Sequence, residues 1–308
     1  MGNPKAFLTI PRQEAGYRPI HDRIADFGEV EQTLNTGERK LQASRCMDCG
    51  VPFCHWACPL GNRSPEFQDA LFRGKWKEAY EILTLTNDFP EFTGRICPAL
   101  CEKSCVLKLS LNAPVTIREN EAAIIESAFR EGYVQPQSYP RNGMKVAVVG
   151  SGPAGLAAAN QLNRKGYEVT VFEALHEIGG VLKYGIPEFR LPNKIVDVEI
   201  ENLSKLGVTF VKDCIVGKTI SVEDLKADGF QGIFVASGAG LPNFMNIPGE
   251  NSINIMSSNE YLTRVNLMDA ANPESDTPVA FGKRVAVIGG GNTAMDSVRT
   301  AKRLGAEK

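Results

Sequence analysis

Seven of the eight cysteines in this chain lie between residues 46 and 105, and no other sequence feature constrains its fold as much. The gaps between them are two, four and three residues in "CMDCGVPFCHWAC", and three and three residues in "CPALCEKSC". So dense a set of thiols predicts that metal or covalent cross-links hold this part of the chain together. The seven are Cys46, Cys49, Cys54, Cys58, Cys97, Cys101 and Cys105.

Three kinds of cross-link suit such thiols. Disulfides need an oxidising compartment, but the start of the chain is too polar and too interrupted by proline for a signal peptide. No apolar run approaches about 18 residues, the length of a membrane span, so we expect a cytoplasmic protein with reduced thiols. A closed zinc site takes four ligands, and a second complete set is missing here. Disulfides and zinc remain alternatives to iron–sulfur clusters.

Iron–sulfur clusters match the cysteine pattern best. Bacterial ferredoxins end their cysteine runs in Cys-Pro, and the last cysteine binds the neighbouring cluster. Here Cys58 precedes Pro59, and Cys97 precedes Pro98. Seven cysteines are one short of two four-iron clusters. The remaining cysteine, Cys214, lies in a strand-like stretch and is expected to be a small core residue, so the eighth ligand must be another residue type.

Residues 1–140 are predicted to form a helical domain. The stretch "TGERKLQASRC" predicts a short helix that delivers the first cysteine. Ser64 is the predicted N-cap of a helix over "SPEFQDALFRGKWKEAYEIL". Thr116 and Glu119 predict a capping box at the start of a further helix, which stops at Gly132.

After a linker at residues 135–143, strands and helices alternate, as is typical of a parallel α/β sheet. Residues 141–282 are predicted to form a Rossmann-like domain that begins with the strand "KVAVV". A second linker, "ANPESDTPVAFG", leads to residues 283–308, which are predicted to be the first strand and helix of a second Rossmann-like domain. The predicted fold class is therefore α plus α/β: a helical two-cluster domain, a dinucleotide-binding domain, and the start of another.

The first glycine-rich turn, "GSGPAG", lies between a predicted strand and a predicted helix. Its glycines permit a tight turn and the close approach of a pyrophosphate, and the N–H groups at the helix start bind phosphate. Glu173 ends the next strand, where a carboxylate binds ribose hydroxyls. The dinucleotide is expected to contact Gly150, Ser151, Gly152, Pro153, Ala154, Gly155 and Glu173.

The second glycine-rich turn, "GGGNTA", repeats this arrangement near the end of the sequence. Two such turns predict two different dinucleotides, a duplication typical of pyridine-nucleotide flavoenzymes. The residue that would distinguish NAD from NADP falls after Lys308. The expected cofactor contacts are Gly289, Gly291, Asn292, Thr293 and Ala294.

Four stretches, "CMDCGVPFCHWACPLGN", "TGRICPALCEKSCVL", "APVTI" and "VGSGPAGLAAA", resemble the small (beta) subunits of bacterial glutamate synthases. Similar modules form the N-terminal part of dihydropyrimidine dehydrogenase and the large subunit of NADH-dependent ferredoxin:NADP oxidoreductase. Members of this family continue far past the equivalent of Lys308, so we expect a C-terminally truncated chain with little NADPH-oxidising activity alone. The stretch "GIPEFRLPNKIVDVEIENL" resembles the ferredoxin:NADP oxidoreductase branch more than the glutamate synthase branch.

The resemblance implies FAD at the first turn and NADPH (or NADH) at the second. It places Gly179 and Gly180 of "EALHEIGG" close to the pyrophosphate and ribityl chain of FAD. It also implies two four-iron clusters with crossed ligands. One would be held by Cys46, Cys49, Cys54 and Cys105, and the other by Cys58, Cys97, Cys101 and Glu121.

Glu121 is the predicted eighth ligand. It lies four residues after Ile117, on the apolar stripe of its helix, where an ionised carboxylate is costly unless it is paired or bound to a metal. Relatives use an oxygen ligand from Glu or Gln at this position. The alternative is that Glu121 lies at the edge of the stripe and pairs with Arg118 or Lys108.

The function implied by the resemblance is electron transfer from NADPH through FAD to the clusters and on to a large glutamate synthase subunit. That subunit would make glutamate from glutamine and 2-oxoglutarate. No Ser-His-Asp or Cys-His arrangement is apparent, so we predict no catalytic side chain. A net charge of −2 provides no basic field for nucleic acid or an anionic membrane. The alternatives are the ferredoxin:NADP oxidoreductase large subunit and a non-catalytic iron–sulfur docking module.

Overall fold

The computed structural model describes residues 3, 5–135, 137–279 and 281–308. In chain order the helices are α1 (Ala6–Thr9), α2 (Ile20–Arg23), α3 (Thr36–Ser44), α4 (Phe53–Ala57), α5 (Ser64–Phe72), α6 (Trp76–Thr84), α7 (Pro90–Ile96), α8 (Leu100–Lys103), α9 (Val106–Leu111), α10 (Ile117–Arg130), α11 (Pro153–Arg164), α12 (Val181–Tyr184), α13 (Asn193–Lys205), α14 (Val222–Ala227), α15 (Ser258–Asn266) and α16 (Asn292–Arg303). The strands are β1 (Lys145–Val149), β2 (Glu168–Phe172), β3 (Thr209–Val211) and β4 (Phe230–Val235). Over the described residues, none of these helices has the length and apolar character of a membrane span.

The chain divides into two compact units. The first unit holds the chain up to Arg18 together with Val30–Gln135, and the second holds Pro19–Glu29 together with the chain after Gln135. One residue of each predicted linker, Pro136 and Ala280, lies outside the described residues. The domain limits predicted above, 1–140, 141–282 and 283–308, stay predictions.

The first unit is helical, as its sequence pattern predicts. Helix α7 packs tightly against α10, because Gly94 has no side chain: a Cβ there would lie 2.8 Å from the backbone nitrogen of Ala122. The apolar stripe of α10 faces the core, and its members Ile117, Ile124, Ile125 and Ala128 are all buried. The remaining core comes mainly from α5 and α6, through Phe67, Leu71, Ala79 and Leu83.

Two predicted helix caps in this unit are wrong. Arg63 is the N-cap of α5, and Ser64 is the first helical residue, with a hydroxyl that bonds no described residue. Thr116 does precede α10, but its side chain makes no capping bond. The carboxylate of Glu119 instead accepts hydrogen bonds from the Ala15 N–H and the buried Arg39 guanidinium, which out-compete the local capping partner.

The second unit is built on a four-stranded parallel sheet with strand order β3-β2-β1-β4. The chain crosses from β1 to its neighbour β2 through α11, the connection that a parallel pair requires. The inner residues Ala147, Val148, Val169 and Val171 are fully buried. Because parallel strands share one carboxyl edge, the turns that follow β1 and β2 lie side by side.

The strand predicted at the start of residues 283–308 does not form, although the helix after it, α16, does. Val285 and Lys283 form backbone hydrogen bonds with Glu307 and Lys308, and the described residues supply no neighbour for the stretch that follows Val285. A parallel strand needs a paired neighbour to satisfy its backbone groups, so the stretch after Val285 forms no strand.

Candidate functional site

Four cysteines from three parts of the first unit line one recess. Cys46 comes two residues after α3, Cys54 lies in α4, and Cys105 is the residue before α9. Cys49, in the loop between α3 and α4, completes the set, which we call thiol group A. The tertiary fold therefore brings Cys105 to cysteines that lie more than fifty residues earlier.

The other three clustered cysteines, Cys58, Cys97 and Cys101, form thiol group B. The first two follow directly after the last residues of α4 and α7, and the third lies in α8. Burial raises the pKa of Cys97, and the nearby charges of Glu121 and Cys58 raise it further. Burial likewise raises the pKa of Cys101, with contributions from Glu121, Glu102 and Cys97. Helices α4 and α8 pack against each other, and α7 and α8 both pack against α10, so thiol group B is assembled beside the helix that carries Glu121.

Between two cysteines of each thiol group lies a non-glycine residue with a left-handed backbone. Asp48 has a φ of 51° and Ala99 a φ of 52°. This conformation is unfavourable for residues with a side chain and clusters at functional sites. In both turns it has a visible use, because the backbone N–H of Asp48 donates to the sulfur of Cys46 and that of Ala99 donates to the sulfur of Cys97.

Two thiols of group A, Cys46 and Cys54, have strongly raised pKa values. Burial raises the pKa of Cys46 to about 12 and the pKa of Cys54 to about 11. The neighbouring thiolates Cys105 and Cys49 add to both shifts through charge repulsion. Because metal ligands must be thiolates, such a set of thiols needs a bound cation to compensate the negative charge.

The thiol spacing bears on which cation fits. Among the residues that the structure describes, no three Cys, His, Asp or Glu side chains are close enough to bind one metal ion together. A four-iron cluster has a different requirement, because each thiolate binds a different iron atom and the ligands surround the cluster. The placement of thiol group A around a recess therefore fits a cluster.

Glu121 is buried in the first unit with 5% of its surface exposed. Its Oε1 accepts a hydrogen bond from Nδ2 of Asn62 at 3.2 Å, and burial raises the pKa of Glu121 to about 7. The partners considered in the sequence alternative are engaged elsewhere: Arg118 forms an ion pair with Glu31, and Lys108 donates to Asn112. Glu121 is thus a buried carboxylate without an ion pair to either residue, close to two thiols of group B.

The first glycine-rich turn lies between β1 and α11 in the second unit. Gly150 has a φ of 102°, and a Cβ there would lie 2.4 Å from the carbonyl oxygen of Ala236. A Cβ at Gly155 would lie 1.9 Å from the carbonyl oxygen of Gly150, so both positions require glycine. A Cβ at Gly152 would meet nothing within 4 Å. The turn is therefore packed against the protein at two glycines and open at the third, which fits the approach of a pyrophosphate.

Glu173 and Gly179 both contact this turn. Oε2 of Glu173 accepts hydrogen bonds from the N–H of Ser151 at 2.8 Å and from its hydroxyl at 2.5 Å. The hydroxyl oxygen of Ser151 in turn accepts the N–H of Gly179 at 2.9 Å. A Cβ at Gly180 would lie 2.8 Å from the Cα of Gly152. The structure thus brings together the residues predicted for the first dinucleotide. Glu173 holds the turn in place through its hydrogen bonds to Ser151.

The second glycine-rich turn precedes α16. Gly289 has a φ of 137°, and Gly291 is the N-cap of α16 without a side-chain capping bond. Asn292, Thr293 and Ala294 form the first turn of the helix, whose leading N–H groups have no helical partner. This end of the helix suits an anion, and the binding of a dinucleotide there stays a prediction.

Sequence reasoning missed three side chains around the thiols. Asn62 holds the Glu121 carboxylate, and Ser64 and Gln68 line the recess of thiol group A. The last two are four residues apart in α5, so they share one face of the helix. That spacing was the available signal, but nothing in the sequence states which way the face points.

Comparison with known families follows the two-unit division. Residues 23–133 match the family model described as dihydropyrimidine dehydrogenase domain II, 4Fe-4S cluster. Residues 144–308, more than half of the sequence, match the model described as pyridine nucleotide-disulphide oxidoreductase. The chain belongs to the pyridine nucleotide-disulphide oxidoreductase family. An iron–sulfur domain precedes its oxidoreductase domain, which confirms the coarse predicted order.

Curated relatives confirm the predicted resemblance to glutamate synthase small chains. The chain is 45% identical over 314 residues to the NADPH glutamate synthase small chain of Mycobacterium tuberculosis, covering 99% of this chain and 64% of that one. It is 41% identical to the Bacillus subtilis small chain, covering 98% and 64%, and 35% identical to the Escherichia coli small chain, covering 99% and 66%. The chain thus spans about two thirds of the length of these relatives.

Solved structures overlap the chain more loosely. FprA of Mycobacterium tuberculosis in complex with NADPH is 25% identical, with a TM-score of 0.43 over 52% of this chain and 36% of that one.

Proposed function

We propose that this chain passes electrons from NADPH, through FAD, to two four-iron clusters and on to a large glutamate synthase subunit. That subunit would make glutamate from glutamine and 2-oxoglutarate. The observation that carries the proposal is the division of seven thiols and one buried carboxylate into two sets of four, in a chain 45% identical to a glutamate synthase small chain. A cytoplasmic location would keep the thiols reduced and suits this role.

Thiol group A would hold one cluster, and thiol group B together with Glu121 would hold the other. When bound, the flavin takes two electrons from the nicotinamide, and the clusters carry electrons singly. The protein supplies thiolates, shields them partly from water, and donates backbone N–H groups to sulfur at Asp48 and Ala99. Such hydrogen bonds and burial set the potential of a cluster.

The glycine-rich turns would bind the dinucleotides. FAD would lie against Gly152 and the start of α11, where the turn is open and the helix N–H groups are free. Glu173 would receive the adenosine ribose with its remaining lone pairs, while it holds Ser151 in place. NADPH (or NADH) would bind at Gly289–Ala294, before α16.

Metal analysis tests the cluster assignment. After anaerobic purification we expect about eight iron atoms and about eight acid-labile sulfides per chain. A zinc content near two without sulfide, or thiols consumed in disulfides, would contradict it.

Three variants test the eighth ligand. We expect Glu121→Ala to lose the signal of one cluster in reduced-state EPR, and Glu121→Gln to keep an oxygen ligand and therefore more of that signal. Cys214→Ser is the matched control and should leave both clusters intact. Loss of a cluster in Cys214→Ser with an unchanged Glu121→Ala signal would show that the wrong residue is assigned.

Two further measurements address electron transfer and the partner. Clusters that carry electrons should bleach in response to a reduced flavin, whereas clusters of a docking module would not respond. A tagged chain should co-purify the large glutamate synthase subunit, and capture of a ferredoxin-linked partner instead would favour the ferredoxin:NADP oxidoreductase alternative.

A further inference from the structure

Besides Nε of Arg39, two buried hydrogen-bond donors in the first unit have no partner among the described residues. They are Oγ of Ser64, in a residue 1% exposed, and Nε2 of Gln68, in a residue 0% exposed. Leaving such a donor without an acceptor costs about 1–3 kcal/mol, so two unsatisfied donors on the same helix call for an explanation.

Both residues line the recess of thiol group A. The remaining side chains described around that recess are apolar: Met47, Pro52, Phe53, Pro65, Val106, Leu107, Val115 and Ile117. The side-chain acceptors available there are therefore sulfur atoms. Ser64 and Gln68 are one helical turn apart on α5, so both reach the recess from the same side.

A chain of hydrogen bonds determines which end of the Gln68 amide is free. Nη1 of Arg39 donates to Oδ1 of Asn120 at 3.0 Å, and a guanidinium can only donate. Asn120 must therefore use its Nδ2 to donate to Oε1 of Gln68, at 2.6 Å. The NH2 group of Gln68 is left as the unpaired end, which excludes a flipped amide.

We propose that Ser64 Oγ–H and Gln68 Nε2–H donate hydrogen bonds to sulfur atoms of the cluster bound by thiol group A, and thereby raise its reduction potential. The inference rests on the proposed function, because the acceptors are the sulfurs of that cluster. Reduction adds one negative charge to the cluster, and donors stabilise the more negative state more strongly. Ser64 and Gln68 are positioning and tuning residues and do not ligate iron.

The test compares Ser64→Ala and Gln68→Met, singly and together, with two matched controls. Ser110→Ala removes an exposed serine hydroxyl that already bonds a carbonyl oxygen, and Gln42→Met removes a buried amide whose two ends are both satisfied. Each chain is purified anaerobically, its iron and sulfide are measured, and its clusters are titrated by EPR. The signal of the cluster in thiol group A is identified as the one lost in Cys49→Ser.

We expect the double variant to keep both clusters. At a fixed solution potential, the reduced-to-oxidised ratio of the group A cluster should fall at least about tenfold, which is 59 mV for a one-electron couple. The group B cluster and both controls should shift by less than about threefold in this ratio, or about half that potential change. An unchanged ratio with intact clusters would overturn the inference and would leave the proposed function standing.

Two other outcomes are decisive as well. If Gln68→Met loses the group A cluster, Ser64→Ala alone decides: a fall in the ratio supports the inference, and an unchanged ratio overturns it. That change removes no hydrogen bond that the described residues make, so it should not disturb folding. Absence of iron and sulfide from the unsubstituted chain would instead refute the clusters themselves, and with them both proposals.

Discussion

The carboxyl group of Glu199 should make the stability of the second unit fall as the pH rises. Glu199 lies on α13 with 9% of its surface exposed, and Oε1 accepts a hydrogen bond from Asn202 at 3.4 Å. Burial raises the pKa of Glu199 from 4.5 to about 7, because the single hydrogen bond from the Asn202 amide does not replace the hydration that the carboxylate loses.

The sign and size of the effect follow from proton linkage. Between pH 4.5 and 7 the folded chain holds a proton on Glu199 that the unfolded chain has lost, so the free energy of unfolding falls as the pH rises. One pKa unit corresponds to about 1.36 kcal/mol, so the full loss above pH 7 is about 3 kcal/mol. Below pH 4.5 the loss vanishes, because both states are protonated.

Replacing Glu199 with glutamine removes the ionisable group and keeps a side chain of the same size. We expect Glu199→Gln to stabilise the second unit by about 2–3 kcal/mol more at pH 8 than at pH 5. Both tryptophans, Trp56 and Trp76, lie in the first unit, so hydrogen exchange of the β1 and β2 amides in urea is the appropriate measurement.

A neighbouring carboxylate serves as control. Glu201 is on the same helix but exposed, and it forms an ion pair with Lys205 at 2.8 Å. Glu201→Gln should change the unfolding free energy little at either pH. Equal effects of Glu199→Gln at pH 5 and pH 8, or an equal pH dependence in Glu201→Gln, would refute the reasoning.

Three further substitutions test the packing that supports the sites. Asn35→Ala removes the capping box of α3 and should lower stability by about 1 kcal/mol in thermal unfolding, whereas no loss would show that the cap is irrelevant. Gly94→Ala places a Cβ 2.8 Å from the nitrogen of Ala122, so it should cost about 1–3 kcal/mol and lower iron content; normal iron content and stability would contradict this. Gly180→Ala combines a φ of 54° with a Cβ 2.8 Å from the Cα of Gly152, so it should reduce FAD bound per chain, and wild-type occupancy would count against the FAD assignment.

Much of the fold follows from local rules that the sequence carries by itself. The strands β1 and β2 and the helix α11 form where the local sequence pattern predicts them, because such patterns depend on neighbours along the chain. Gly150 is needed at its turn for a backbone reason that no tertiary contact changes, its positive φ. The family, and with it the expected cofactors, is likewise readable from the cysteine spacing and the two turns.

Where a side chain has competing partners, only the tertiary structure decided the outcome. Glu119 satisfies every local rule for a capping box, yet it binds Arg39, which lies 80 residues earlier and is buried beside it. The predicted strand near Val285 failed for a related reason, since a strand depends on a partner that its own residues do not supply.

The same distinction governs the candidate site. Spacing alone identified the cysteines, but only packing brings Cys105 into one recess with Cys46 and places Gln68 in the lining of that recess. Such placements depend on which distant groups meet when the helices pack. A one-dimensional pattern contains no distance between α5 and α9, and that distance decides which side chains share the recess.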